Sequence, residues 1–481
     1  MPARDPADLI PIPTAAERLG AVFATAGRQL HLVGGTVRDA LLGRPDEDLD
    51  FTTDAHPQDV LALVAPVAEA TWTTGIEFGT VGVQVGGRSC EITTFRADRY
   101  DRVSRNPDVV YGDSLVDDLR RRDFTVNAMA VSVAGPPVFT DPYGGLADLA
   151  RGVLRTPAAP EESFADDPLR MLRAARFVST LAGSTRTVSM PVITVADETR
   201  AAMTAMAGEL SRITAERVQA ELSKLLLAAA PRPGLELMVD TGLADVVLPE
   251  LAALRMTVDE HGQHKDVYLH SLQVLDQAID LEWQELGEAD LVLRLAALLH
   301  DIGKPATRRF EADGRVTFHH HEVVGARLAR QRLKALRYSK DIIEQVGRLV
   351  FLHLRFYGYQ EADWTDSAVR RYVVDAGPLL DRLAILVRSD CTTRNRRKAA
   401  ALADAYATLM WRIEQLRKQE ELDAIRPDLD GNEIMAVLGI PPGRAVGEAY
   451  QFLLGLRMER GPLDHDAAVG ELRAWWAARR Q

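Results

Sequence analysis

Between His31 and Phe51 the chain reads H-L-V-G-G-T-V-R-D-A-L-L-G-R-P-D-E-D-L-D-F, an order that leaves few folds open to it. A short apolar run passes through Gly34 and Gly35 into a helix-like segment at Val37–Leu42. The stretch then closes on an acidic and apolar alternation, Asp48-Leu49-Asp50-Phe51. Successive side chains of a β-strand point to opposite faces. Asp48 and Asp50 therefore share one face, and Leu49 and Phe51 turn into a core. Two neighbouring carboxylates are costly unless a cation neutralises them. Magnesium suits them, because it is hard, oxygen-seeking and readily shared with substrate phosphates. Upstream, Gly34-Gly35 before a helix start can offer backbone N–H groups to a polyphosphate. Together these features describe a nucleotide site built for metal-assisted phosphoryl chemistry.

A lone Gly-Gly is usually a turn and a lone D-x-D a solvated strand end, but twelve residues between Gly35 and Asp48 make the pair far more specific. The spacing resembles the signature of polymerase-β-like nucleotidyltransferases. The fuller G-G-x-V-R-D…D-x-D form is similar to that of the bacterial CCA-adding and poly(A) polymerase family. That resemblance implies metal ligation and catalysis by Asp48 and Asp50. It gives the nucleotide's phosphates and sugar to Gly34, Gly35, Arg38 and Asp39.

The remaining chain fits a soluble protein of two to four domains. Its hydrophobic content of 47% and charged content of 26% are ordinary. A net charge of −12 argues against a protein that coats nucleic acid nonspecifically, although a local basic groove remains compatible with it. Two cysteines, Cys90 and Cys391, are too few for a disulfide framework, and no run approaches 18 apolar residues. The expected compartment is a reducing cytoplasm.

Strand-like and helix-like segments alternate up to about Val138. A helix is expected at Thr14–Ala26, strands at Leu30–Val33, Leu49–Thr53 and Thr80–Val85, and a hairpin turn at Gly86-Gly87 before Ser89–Arg96. Pro57–Ala68 reads as a helix with Leu61, Leu63, Val64 and Val67 as its stripe, which Pro66 can end early. Arg96–Arg120 is polar and breaker-rich and reads as a mobile loop. From about Ser163 onward helical spacing takes over, at Leu169–Ala182, Thr194–Ala207, Thr214–Ala229 and Leu291–His300. The fold class is α+β: an α/β head, which the resemblance makes polymerase-β-like, followed by an all-α neck, body and tail. The boundaries are placed at 1–150, 151–256, 257–400 and 401–481.

In the head, Glu91 lies in a predicted strand with Thr93 and Phe95 on its face, where a third acid can help hold a cation or orient the attacking hydroxyl. A second block runs R-R-D-F-T-V-N-A-M-A from Arg121. Arg121 and Arg122 can grip triphosphate oxygens. Asp123 can orient one of them or touch the ribose, and Asn127 can hydrogen-bond sugar or phosphate. The block is similar to the family's R-R-D-F-T-x-N-A. Asp141-Pro142-Tyr143-Gly144-Gly145-Leu146-Ala147-Asp148-Leu149 looks like its hinge from head to neck, a structural element. In the third block Pro168 suits a first helical turn, Asp167 sits where the helix dipole favours negative charge, and Arg170, Arg173 and Arg176 recur every three residues. It resembles the family's E-D-x-x-R motif, with Asp166 standing where Glu is usual. By that resemblance Asp167 and Arg170 present hydrogen bonds to the Watson–Crick edge of the incoming base, and Arg173 and Arg176 contact the nucleotide. The activity implied is template-independent building or repair of the 3′-terminal CCA of tRNA from CTP and ATP, with two Mg2+ ions at Asp48 and Asp50.

The helical half carries a second constellation: His270, His300-Asp301 in L-L-H-D-I-G-K-P, and Asp390, with His321 and His353 as added donors. Imidazole with carboxylate suits a transition metal or magnesium. The ordered set resembles HD-domain phosphohydrolases, which implies a divalent metal and phosphatase or 2′,3′-cyclic phosphodiesterase chemistry, against an HD fold kept as an RNA-binding body. The segment Asp430–Arg444 resembles the family's tail. Arg388–Lys398, with five basic residues and one acid, is the candidate tRNA contact outside the head. The competing functions are a poly(A) polymerase, an HD phosphohydrolase whose head only binds nucleotide, and a noncatalytic tRNA-binding scaffold.

Overall fold

The computed structural model describes residues 6–44, 48–96, 111–181, 192–255, 266–312, 316–356, 364–391, 396–420 and 426–479. The chain divides into two compact units, Met1–Val247 and Leu248–Gln481.

Unit 1 is built on a seven-stranded sheet. Its strands are β1 (Leu30–Val33), β2 (Leu49–Thr53), β3 (Ala70–Trp72), β4 (Thr80–Val85), β5 (Arg88–Thr94), β6 (Ala130–Ser132) and β7 (Phe139–Thr140), in the order β3-β4-β5-β2-β1-β6-β7. β1 is buried along its whole length, as a short unbroken apolar run allows for an interior strand. β2 alternates as the sequence demands: Leu49 and Phe51 are buried, Asp48 and Asp50 exposed. β2 pairs with β5 in parallel, the other pairs being antiparallel. A parallel pair needs a crossover, here supplied by the helix Pro57–Val64 with β3 and β4. At the β4–β5 hairpin Gly86 and Gly87 take φ values of 59° and 74°, the left-handed pair a tight two-residue hairpin requires.

Several expectations need correction. The Pro57 helix stops at Val64, and its buried positions are Pro57, Val60 and Val64. Leu61, Leu63 and Val67 are only half-buried, because i and i+4 share a helical face. Ala65 precedes a proline, which disfavours helical backbone there. Within the stretch expected to be a loop, Leu115–Arg120 is a helix, capped by Ser114 accepting from the Asp117 N–H, while 97–110 lies outside the described residues. Thr194–Val195 is not helical but pairs in parallel with Val153–Leu154, and Arg309–Phe310 pairs with Val316–Thr317. Two-residue strands are too short to leave an alternation in the sequence.

The expected hinge is a tight clasp. Asp141 accepts from the N–H groups of Gly145 and Leu146 at 2.7 and 2.9 Å. The buried Asp148 accepts from Thr125 Oγ1 at 2.8 Å. A Cβ on Gly145 would stand 2.1 Å from the Thr125 carbonyl oxygen, so only glycine lets this helix approach the turn that carries Asn127.

Unit 2 is helical. It contains the helices Val267–Glu285, Leu291–Leu299, His321–Ala335, Lys340–Leu352 and Leu380–Ser389, the first two joined by the wholly buried ion pair of Arg294 with Glu282, whose second oxygen accepts from the Asp290 N–H. A buried charge pair needs such full satisfaction to be tolerated. The last helices, Gly431–Leu438, Arg444–Arg460 and His465–Ala478, pack around Leu429, Ile434, Leu453 and Leu472. Asp430 and Glu433 form a capping box for the first of them, so this part of the tail is ordinary helix punctuation.

Replacing Gly145 with Ala should cost about 1–3 kcal/mol through backbone overpacking, read as a lower urea midpoint, with Gly208→Ala costing far less because nothing lies within 4 Å of its Cβ position and its backbone is not left-handed.

Candidate active sites

The first site gathers on the exposed face of β2. Asp50 stands in register with Glu91 across the parallel pair, and both are exposed, as is Asp48. In-register residues of neighbouring strands point to one face, so three carboxylates share it. The Asp50 N–H donates to Thr36 Oγ1 at 3.0 Å, which ties the strand to the helix Gly35–Leu41. Gly34, at φ 68°, starts that helix. A Cβ there would stand 3.0 Å from an Arg122 guanidinium nitrogen and 3.7 Å from Asp50 Oδ2. Glycine, arginine and acid thus converge on one spot. Arg122 is steered by the buried Asp118, 3.3 Å away.

Behind that face runs a polar network. Arg38 donates bidentately to Asp39 at 2.9 and 2.6 Å and to Asn127 Oδ1 at 2.6 Å. Asn127 Nδ2 donates to Asp123 at 2.9 Å, and Asp123 accepts from Arg173 Nε and Nη2 at 2.8 and 2.7 Å. Burial opposes ionisation of Asp123, but Arg173, Asn127 and the Phe124 N–H outweigh it and hold its pKa at about 2. Arg173 lies on the helix Leu169–Leu181. On the same helix the Phe177 ring carries the guanidinium of Arg38 at 5.1 Å and that of Arg176 at 4.1 Å, a cation–π packing. Asp123 therefore orients Arg173 rather than Arg121 or Arg122, and Arg38 is a buried frame residue.

At the start of this helix Asp167 Oδ1 accepts from the Leu169 N–H at 3.2 Å and Oδ2 accepts from Arg217 at 2.8 Å. Arg170 donates to Ser163 Oγ at 2.7 Å and to the Arg121 carbonyl at 2.6 Å. Arg176 pairs with the buried Glu221 at 2.6 Å. Asp118, Ser163, Arg217 and Glu221 were not singled out from the sequence. The readable signals were the i,i+4 spacing of Asp118 with Arg122, and of Arg217 with Glu221 in E-R-V-Q-A-E-L.

Among the described residues, two groups of three metal-type donors lie within 4.8 Å of one another, both in unit 2: His270, His300 and Asp390, and Asp301, His321 and His353. All six sequence candidates are thus brought together. They sit at helix ends: His300, His353 and Asp390 directly follow helices, and His321 begins one. His300, His321 and His353 each direct Nδ1 at a backbone carbonyl three residues back, 2.8, 2.9 and 2.7 Å away. That contact fixes a proton on Nδ1 and turns Nε2 into the centre, where its lone pair serves a cation that displaces any proton held there. The three Nε2 atoms are buried without a hydrogen bond, a cost that a metal ion removes. Asp301 reaches His300 through Oδ2 at 3.2 Å and His321 through Oδ1 at 3.3 Å. Burial disfavours charge on His300, but Asp301 and Asp390 override it and raise its pKa to about 10. Burial, with His300 alongside, lowers that of His353 to about 3. A pocket that draws positive charge and keeps one imidazole neutral fits a divalent cation.

Three stretches of the chain match known protein families. Residues 30–155 match the poly A polymerase head domain, 193–254 the "probable RNA and SrmB- binding site of polymerase A", and 267–395 the HD domain. The A-adding tRNA nucleotidyltransferase of Deinococcus radiodurans is 35% identical over 432 residues, 89% of this chain and 91% of its own. The chain belongs to the CCA-adding tRNA nucleotidyltransferase family. The CC-adding tRNA nucleotidyltransferase of Thermus thermophilus is 32% identical over 435 residues, 89% of each chain. The crystal structure of the Bacillus stearothermophilus CCA-adding enzyme in complex with CTP shares the fold, with a TM-score of 0.65 at 24% identity over 99% of both chains. Of the candidate tRNA contact in unit 2, Arg388 is already paired with Glu285 at 2.5 Å and packed on Tyr406, while 392–395 lies outside the described residues.

The low pKa of Asp123 has a consequence for stability. Its folded value lies below the ordinary 3.8, so the unfolded chain binds the proton more tightly. The stabilisation is present above pH 4 and is lost as pH falls through about 2, an effect of about 2 kcal/mol. Asp123→Asn should flatten the stability profile of unit 1 across that window, measured by urea midpoints at each pH.

Proposed function

We propose that this chain builds and repairs the 3′-terminal CCA of tRNA, taking CTP and ATP without a nucleic-acid template. The convergence of Gly34, Arg122 and Asp50 on one face, with Asp48 and Glu91 beside them, supports the reading most directly. The donors there are all carboxylate oxygens, which fit magnesium. Bound at Asp48 and Asp50, Mg2+ would lower the pKa of the attacking 3′-hydroxyl and stabilise the pyrophosphate leaving group. Arg121 and Arg122 grip the triphosphate, and the N–H groups behind Gly34 and Gly35 approach it. Glu91 orients the hydroxyl. Asp123, Asn127, Arg38 and Asp39 brace the floor, with Arg173 and Arg176 beside the nucleotide.

Asp167 and Arg170 select the base. Their present bonds to Arg217, Ser163 and the Arg121 carbonyl keep both side chains extended at the helix start, and a cytosine or adenine edge would exchange for some of those bonds. We assign residues 1–150 to the nucleotidyltransferase head, 151–256 to the neck, 257–400 to the HD body and 401–481 to the tail.

The HD centre is a metal-dependent phosphohydrolase with two divalent ions. The two donor groups, His270, His300 and Asp390 and then Asp301, His321 and His353, would each hold one ion, with the Asp301 oxygens 3.2 and 3.3 Å from His300 and His321. The ions would polarise a phosphoryl oxygen and supply a water nucleophile. No helix among the described residues is long and apolar enough to cross a membrane, and free Cys90 and Cys391 fit the reducing cytoplasm.

Incubation with tRNA lacking CCA should give two C residues with CTP alone and a complete CCA end with both nucleotides. Processive adenylation without use of CTP would overturn the assignment in favour of a poly(A) polymerase. C addition alone, or A addition alone, would contradict complete CCA synthesis. For the second centre, protein loaded with Mn2+ or Ni2+ should retain two ions per HD domain by elemental analysis. The combined His321→Ala and His353→Ala variant should retain one. Lowering the pH should weaken retention, because protons compete for the same Nε2 atoms.

A further inference from the structure

The acids of the first site lie in one row across the sheet, and the row continues beyond them. Trp72 on β3 pairs with Gly82 on β4, Gly82 with Glu91 on β5, and Glu91 with Asp50 on β2. Residues in register on neighbouring strands point to one face, so the indole of Trp72 shares a face with the two carboxylates. Gly82 puts no side chain between them. A Cβ there would stand 1.9 Å from both Nε1 and Cε2 of Trp72, so the indole fills the space that a side chain at 82 would take. Directly opposed residues of an antiparallel pair hold their Cβ positions about 5 Å apart, which sets the indole immediately beside Glu91. Gly82 is buried under it, while Trp72 is half-buried and Glu91 exposed.

The other end of the row gives this position its meaning. Past Asp50 comes Gly34, directly after β1, whose Cβ position is 3.7 Å from Asp50 Oδ2 and 3.0 Å from Arg122. The order across the face is therefore indole, Glu91, Asp50, and then the glycine and guanidinium proposed to hold the triphosphate. In nucleotidyl transfer the attacking 3′-oxygen bonds to the α-phosphorus as the bond to pyrophosphate breaks, with the two oxygens roughly in line. With the pyrophosphate on the Arg122 side, the hydroxyl enters from the Glu91 side, and its proton passes to water. The nucleoside that carries this hydroxyl then sits over Gly82, against the indole.

We propose that Trp72 is a stacking platform for the base of the RNA's 3′-terminal nucleotide, and that Gly82 is what lets the platform reach the acids. The proposal rests on the nucleotidyl-transfer reading of this site and adds the group that positions the acceptor end. Every base has a π-face, so stacking tolerates a terminal base that changes with each addition.

The test measures binding of the full chain, without metal or nucleotide, to tRNA lacking CCA by fluorescence anisotropy. One RNA ends in an ordinary nucleotide, and the other in an abasic one that keeps its ribose and 3′-hydroxyl. The unmodified protein should bind the first about tenfold more tightly, the scale of one base stacked on an aromatic ring. Trp72→Leu, which still offers Gly82 an apolar cover, should bind both equally, and Trp72→Phe should recover most of the difference. The Kd for CTP with Mg2+ should stay the same in both variants. Equal binding of the two RNAs by the unmodified protein overturns the proposal whatever the variants do, as does an undiminished preference in Trp72→Leu. A raised Kd for CTP with the RNA preference kept also overturns it, by placing the indole against the incoming nucleotide. No binding of either RNA by the unmodified protein overturns the tRNA reading itself, and the proposal with it.

Discussion

The ion pair of Asp123 with Arg173 is the joint on which the first site depends. It is mostly buried, doubly bonded on the arginine side, and continuous through Asn127 and Arg38 with the helix that starts at Gly35. Buried polar networks of this kind are costly when partly satisfied and rigid when complete. Here one end of the network lies on the helix Gly35–Leu41, which Thr36 ties to the strand that carries Asp50, and the other lies on the helix Leu169–Leu181. The acids proposed to bind metal and the residues proposed to select the base come from segments more than a hundred positions apart in sequence, and this joint links the two. Phe177, gripped by Arg38 and Arg176, supplies the apolar half of the same contact.

The second centre follows another logic. Its histidines are pinned through Nδ1 to carbonyls at helix ends, so the polypeptide itself fixes which nitrogen faces inward. Its carboxylates are buried beside them and draw positive charge into the pocket. Where the first site keeps its acids on a solvent-facing strand face, suited to a hard ion shared with a large substrate, the second keeps mixed nitrogen and oxygen donors in a mostly buried pocket. One chain thus offers two different donor sets, each matched to its own surroundings.

Much of this was legible in the residues. The alternation at Asp48–Phe51 gave the exposed and buried faces of β2 directly, and Gly86-Gly87 gave the hairpin. The six HD donors converge as their order suggested. The illegible parts have physical reasons. The Leu115–Arg120 helix is short and held by tertiary contacts, Asp118 on Thr52 among them, so a polar segment looked like a loop. The burial of Val60 in place of Leu61 and Leu63 turns on where the helix settles against the sheet. That Asp123 serves Arg173, rather than the arginines beside it in sequence, follows from a contact between segments fifty residues apart. No local pattern encodes such a pairing.

The account's central claim is that Asp48 and Asp50 perform the chemistry while Asp167 and Arg170, far along the chain, choose the base. It is tested most directly by measuring CMP and AMP incorporation into tRNA lacking CCA by the Asp48→Ala, Asp50→Ala protein. Incorporation should fall below detection while the HD domain keeps its bound metal. Incorporation at the unmodified protein's rate would contradict the account.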